Sequence, residues 1–169
     1  MKLFLISFLI LITLMSEAQS PYTYKIENGE VILNGSISKY ILINDSAFAW
    51  YKKSTENYKP DSSLVNALKN ASNKINFIIF GGTWCEDTHY VLPKFFAIQE
   101  QANFPDNRIS FFAADRNKHV QGNISEALGV FNVPSIIVMY KGKEVGRVVE
   151  YGKTGKWDKE LAEIINSIQ

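Results

Sequence analysis

Cysteine is almost absent: Cys85 is the one cysteine in 169 residues. That excludes an intrachain disulfide framework and any zinc or iron–sulfur site built from several thiolates. An excess of either charge is missing too, with 18 Lys and Arg against 17 Asp and Glu and a net charge of +1. The chain therefore lacks the electrostatic footprint of a nucleic-acid partner or a polybasic membrane surface. Histidine is limited to two, His89 and His119, and they and the acidic residues fall into no metal-ligand spacing. No metal and no other cofactor is expected. Internal repeats and low-complexity tracts are lacking as well. Against these absences, 46% of residues are apolar and 21% charged, enough for one well-packed domain and too apolar for wholesale disorder.

The N-terminus has the parts of an export signal. Lys2 precedes an apolar run from Leu3 to Leu14, and Ser16 and Ala18 supply small residues at a cleavage position after Ala18. A membrane span needs about 20 apolar residues, and Ser16, Glu17, Gln19 and Ser20 end this run early. A periplasmic or secreted mature protein is expected, meeting the membrane only through this transient segment. An exported lone thiol is unusual and calls for a reason.

Along the mature chain, Tyr22–Ile26 and Val31–Leu33 flank Glu27-Asn28-Gly29-Glu30, and Asn-Gly is the strongest short hairpin signal. Tyr40–Ile43 reads as a further strand, followed by helical stretches over Ser46–Tyr58 and Ser62–Ala71, separated by Pro60. Phe48, Trp50, Tyr51 and Tyr58 read as apolar core of this part. From Ile75 the pattern alternates strand and helix: a buried strand Ile75–Phe80, a helix from Cys85 to Gln101 carrying Pro93, and a strand Ile109–Ala113. A short helix Ile124–Leu128, strands Ser135–Tyr140 and Glu144–Val149 around Lys141-Gly142-Lys143, and an amphipathic helix from Lys156 complete it.

The stretch with chemistry is Gly81-Gly82-Thr83-Trp84-Cys85-Glu86-Asp87-Thr88. A buried strand runs into a small-residue turn and the cysteine opens a helix, where free N–H groups and the helix dipole favour a thiolate. Glu86 and Asp87 oppose that effect while suiting a helix's first turn. His89 lies four residues after Cys85 and shares its helix face. Asp115 ends a strand at the edge where sites gather in such sheets.

From Ile75 onward the chain resembles the thioredoxin superfamily. Trp84-Cys85 at a strand-to-helix junction, Pro93 in the following helix, and Val133-Pro134 ahead of a strand–turn–strand unit, Gly152 and a last helix carry the likeness. The string Gly-Thr-Trp-Cys-x-Asp-Thr is similar to a branch of exported bacterial thioredoxin-like proteins. The resemblance implies an α/β fold with a central mixed sheet flanked by helices. With the export signal taken as residues 1–18, it leaves an N-terminal β/α extension packed on the core (19–74) and a thioredoxin-like domain (75–169). It also implies a nucleophilic Cys85, a cis Val133–Pro134 peptide, and a substrate strand held by Trp84, Val133 and Pro134.

Two departures matter. Thr88 stands where the family carries its resolving cysteine, and Ile79 where many members carry a buried acid. The expected chemistry is then thiol–disulfide exchange through one sulfur, on protein or small-molecule thiols and disulfides, with Thr88 hydrogen-bonded to the Cys85 thiolate. Asp87, His89 and Asp115 are accessory candidates, and a monomer is expected. A non-catalytic peptide-binding module and metal handling through Cys85 and His89 remain as alternatives.

Overall fold

A computed structural model describes residues 20–168, so the apolar segment Leu3–Leu14 and the cleavage position after Ala18 lie outside the described residues. Six strands form one sheet in the order β1-β2-β4-β3-β5-β6. They are β1 (Tyr22–Glu27), β2 (Glu30–Ile37), β3 (Ile75–Gly81), β4 (Ile109–Ala113), β5 (Ser135–Tyr140) and β6 (Lys143–Val149). β3 runs parallel to β4 and every other neighbouring pair is antiparallel. The expected mixed α/β architecture is the one found.

The β1–β2 hairpin turns on Asn28 (φ 52°) and Gly29 (φ 81°). Two consecutive positive φ values are what a tight two-residue hairpin turn demands, and Asn-Gly meets that demand at little steric cost. β2 then pairs with β4 from Gly35 to Ile37. Residues 30–37 thus belong to the same sheet as the chain beyond Ile75.

The helices are α1 (Lys39–Asn44), α2 (Trp50–Thr55), α3 (Ser62–Ala71), α4 (Glu86–Gln101), α5 (Ile124–Ala127) and α6 (Trp157–Asn166), with a 3-10 turn at Ser46–Phe48. Asp61 caps α3 by accepting from the Ser63 N–H at 2.8 Å. Segment Tyr40–Ile43, expected as a strand, is helical. A short apolar run without flanking polar alternation does not distinguish the two states. Here β2 has already ended at Ile37, and helical spacing buries Lys39 and Leu42 together. Burial disfavours the Lys39 charge, yet contacts with Glu100 and Asp106 at 3.0 Å each outweigh it and hold the ammonium above its ordinary pKa. Gln99 Oε1 accepts from the same Nζ at 2.7 Å, tying α1 to the end of α4.

One face of the sheet carries the main core, in which Ile75, Phe77 and Ile79 of β3 meet Leu64 and Leu68 of α3, Phe95 of α4 and Leu161 of α6, all fully buried. Phe48 and Tyr51 join it, and Trp50 and Tyr58 pack on its margin. The other face carries a smaller cluster of Phe80, Ala114, Val120, Val130, Val133 and Ile137, against which Trp84 and Cys85 pack. Among the described residues, no helix is long and apolar enough to cross a membrane.

Candidate active site around Cys85

β3 ends at Gly81, a turn follows, and Cys85 stands as the N-cap of α4. The turn is closed by Cys85 N–H donating to the Gly82 carbonyl at 2.9 Å, and α4 begins with His89 N–H on the Cys85 carbonyl at 3.0 Å. Small residues are required here by space. A Cβ on Gly81 would lie 2.6 Å from Leu92 Cδ1, and one on Gly82 would lie 2.7 Å from the Trp84 ring.

The sulfur is free and half-buried. It makes no capping bond to its own helix. Instead the thiol donates to the Val133 carbonyl at 3.3 Å. The Val133–Pro134 peptide is cis. Trp84 packs against the same cluster as Cys85, its Nε1–H donating to the Ala114 carbonyl at 3.0 Å. Arg116 and Lys118 lie over the Trp84 ring at 5.5 and 5.6 Å from its centroid, Arg116 being ion-paired with Glu27 and Glu30. Cys85, Trp84, Val133 and Pro134 are therefore brought together.

Thr88 is buried beneath the turn, and the hydrogen bond it makes runs elsewhere than expected. Its hydroxyl oxygen accepts from the Gly82 N–H at 3.1 Å, bracing the turn and not the sulfur. His89 also turns away from Cys85. Its Nε2–H donates to the Thr83 carbonyl at 2.8 Å, and its ring stacks on Trp50 of α2 at 3.9 Å. Asp115 is occupied in its own loop, accepting from the N–H groups of Asn117 and His119 at 2.8 and 3.0 Å. His119 is exposed and lies 3.5 Å from Glu126. No group of three or more potential metal-binding side chains occurs among the described residues.

Thr83 shows why residues before Ile75 matter to the site. The β2–β4 pairing stops at Gly35 and Ala113, leaving the next backbone groups of β2 without a strand on that edge, β1 lying on the other. The Thr83 hydroxyl donates to the Val31 carbonyl at 2.8 Å and accepts from the Leu33 N–H at 3.2 Å. One side chain thus continues the ladder and fastens the Cys85 turn to β2. Thr83→Val removes both bonds from a buried place and is expected to cost about 1–3 kcal/mol. Urea unfolding checks it; Thr83→Ser, which keeps the hydroxyl, should stay within about 1 kcal/mol of the parent.

Sequence reasoning assigns Thr83 and Trp50 no part in the site, and it does not single out Tyr90, Phe131 or Tyr151. Phe131 is 80% exposed on the loop leading to Pro134, and Tyr90 and Tyr151 are 48% and 37% exposed. Tyr151 follows β6, and the neighbouring Glu150 N–H donates to the Pro134 carbonyl at 2.7 Å. Burial and then the Asp87 carboxylate push the Tyr151 phenol up to about 12. Isolated aromatic residues between a loop and a glycine give no periodic signal.

Residues 36–162 match the family described as thioredoxin. No curated protein matches the chain. Among solved structures, the chain is similar to a protein of unknown function from Pseudomonas aeruginosa, at 15% identity and TM-score 0.53, over 78% of this chain and 92% of that one. It is also similar to an HIV epitope-scaffold, at 16% identity and TM-score 0.50, over 72% of this chain and 83% of that one. Identities this low speak to the fold alone.

Proposed function

Because this chain belongs to the thioredoxin family, we propose that it is a monothiol exchange protein of the cell envelope, acting through Cys85. The observation that carries the proposal is the half-buried free thiol at the start of α4, in contact with the carbonyl of the residue before Pro134. The apolar segment after Lys2 and the small residues Ser16 and Ala18 support export.

In the proposed step the Cys85 thiolate attacks one sulfur of a substrate disulfide. The S–S bond breaks, a Cys85–substrate disulfide forms, and the other sulfur leaves as a thiolate that takes a proton from water. With Thr88 where a second thiol would stand, this chain cannot cleave its own mixed disulfide. Release needs an external thiol, from the substrate or a small molecule, which attacks the bond and returns Cys85 to its reduced form. Trp84, Val133 and Pro134 line the approach to the sulfur, and Thr88 serves by bracing the Gly82 turn.

A second reading is a non-catalytic peptide-binding module, for which Phe131, 80% exposed on the loop leading to Pro134, offers an apolar contact. The reaction of Cys85 with a small aromatic disulfide separates the two. Exchange chemistry predicts that the folded protein reacts faster than the same chain unfolded in urea at the same pH. A slower reaction in the folded state would leave the binding module as the better account.

A further inference from the structure

The sheet has two outer edges, β1 and β6, and they differ. Along β6 the pairing with β5 is irregular between Val138 and Met139, which bends an edge away from association. β1 pairs with β2 in unbroken register from Tyr22 to Glu27. Next to that register, the Pro21 carbonyl accepts from the Ser36 N–H at 2.8 Å, which sets the alternation of the antiparallel ladder. Thr23, Lys25 and Glu27 therefore turn their backbone groups to β2, and Tyr24 and Ile26 turn theirs to the open side. Among the described residues no strand lies beyond them. Their side chains are open too, 69% and 67% exposed on one face of the strand. The other face carries Lys25 and Glu27, in contact at 2.6 Å. Charges of one sign would guard such an edge, whereas a plus–minus pair can meet its own copy.

We propose that the open edge of β1 pairs with the same edge of a second copy of this chain, antiparallel about a two-fold axis at Ile26. Charge complementarity selects both the occupant and the register. An axis at Lys25 would set Lys25 against itself, which is unfavourable, and an axis at Tyr24 would set Lys25 against Thr23. The axis at Ile26 sets Lys25 opposite Glu27 of the second copy, twice, so that four charges alternate in sign across the seam. It also joins Tyr24 and Ile26 of both copies into one covered apolar stripe. Pairing this short buries less than the roughly 1,200–2,000 Å² of a stable complex, so the dimer is weak and forms by mass action. β2 and β4 stand between β1 and β3, and the strand leading to Cys85 stays outside the interface. The dimer takes the place of the monomer that the sequence leads one to expect.

Sedimentation equilibrium and amide exchange test the pairing. Over about a hundredfold range of concentration, up to about 1 mM, the protein should pass from monomer towards dimer. The Tyr24 and Ile26 amides should gain protection over the same range. Lys25→Glu sets glutamate against Glu27, and Glu27→Lys sets lysine against Lys25; each variant alone should associate about tenfold more weakly. An equimolar mixture of the two restores both opposite-sign pairs and should associate as the parent does. Ile26→Lys, at an exposed position, should abolish association and leave Tm within about 2 °C of the parent. A protein that stays monomeric up to about 1 mM overturns the proposal. So does protection of Tyr24 and Ile26 that is independent of concentration, which would mean that the edge is covered within one chain. A dimer that survives Ile26→Lys, or that mixing the two charge variants fails to restore, overturns it as well.

Discussion

The Thr88→Cys protein is expected to reduce insulin disulfides, with dithiothreitol as electron source, at least about tenfold faster than the parent. In the parent the second half of the cycle is bimolecular, because no thiol of the chain reaches the mixed disulfide. A cysteine placed at position 88 stands one helical turn from Cys85, and attack from there is intramolecular. The gain comes from a positioned nucleophile replacing a diffusing one. It has a structural cost. The Thr88 hydroxyl accepts from the Gly82 N–H at 3.1 Å, and a thiol is a weak acceptor, so about 1–2 kcal/mol of stability should be lost. Insulin turbidity measures the gain, and urea unfolding measures the loss. A folded Thr88→Cys protein that joins Cys85 to the introduced thiol in a disulfide, yet gains no turnover, would mean that the groove does not present substrates to the sulfur.

The second large effect concerns stability. Phe77→Ala should destabilise the protein by about 3–5 kcal/mol, enough to lower Tm by roughly 10 °C. Phe77 lies at the centre of β3, fully buried, with Phe95 of α4 and Phe104 each 5.3 Å away in edge-on contact. Truncation deletes both aromatic pairs and opens a cavity between the sheet and the helix that carries the site. By contrast Phe131→Ala, at an 80% exposed position, should change Tm by less than about 2 °C. Calorimetry on the two variants checks both values; equal losses would contradict the assignment of the core.

Much of this architecture is legible from residue order. The Asn28-Gly29 turn, the apolar run of β3, the glycines ahead of Cys85 and the Asp61 cap each act locally, so neighbours in sequence suffice to read them. Tyr40–Ile43 reads wrongly as a strand because a short apolar run is ambiguous and only its tertiary position decides. Burial of Lys39 beside Glu100 and Asp106 is such a position, and it joins residues some sixty apart in the chain.

The site is legible where a motif carries it and illegible where packing does. Trp84 and Cys85 pack against one cluster with Val133, the residue before Pro134, and the Cys85 thiol reaches the Val133 carbonyl. The expected roles of Thr88 and His89 rest on spacing along a helix, and spacing says that two side chains share a face without saying which partner each takes. Thr88 takes Gly82, and His89 takes Thr83 and Trp50. Thr83 and Tyr151 give no signal in the sequence because the groups that place them, Val31 and Leu33 for one, Tyr90 and the Pro134 loop for the other, lie far away in the chain.

The most direct measurement follows the intact mass of the reduced protein mixed with a peptide disulfide. Nucleophilic attack without self-resolution predicts a peptide adduct on Cys85 that accumulates, persists on standing and disappears when a small thiol is added. A chain that stays unmodified while remaining folded, or an adduct that decays with no thiol supplied, would contradict it.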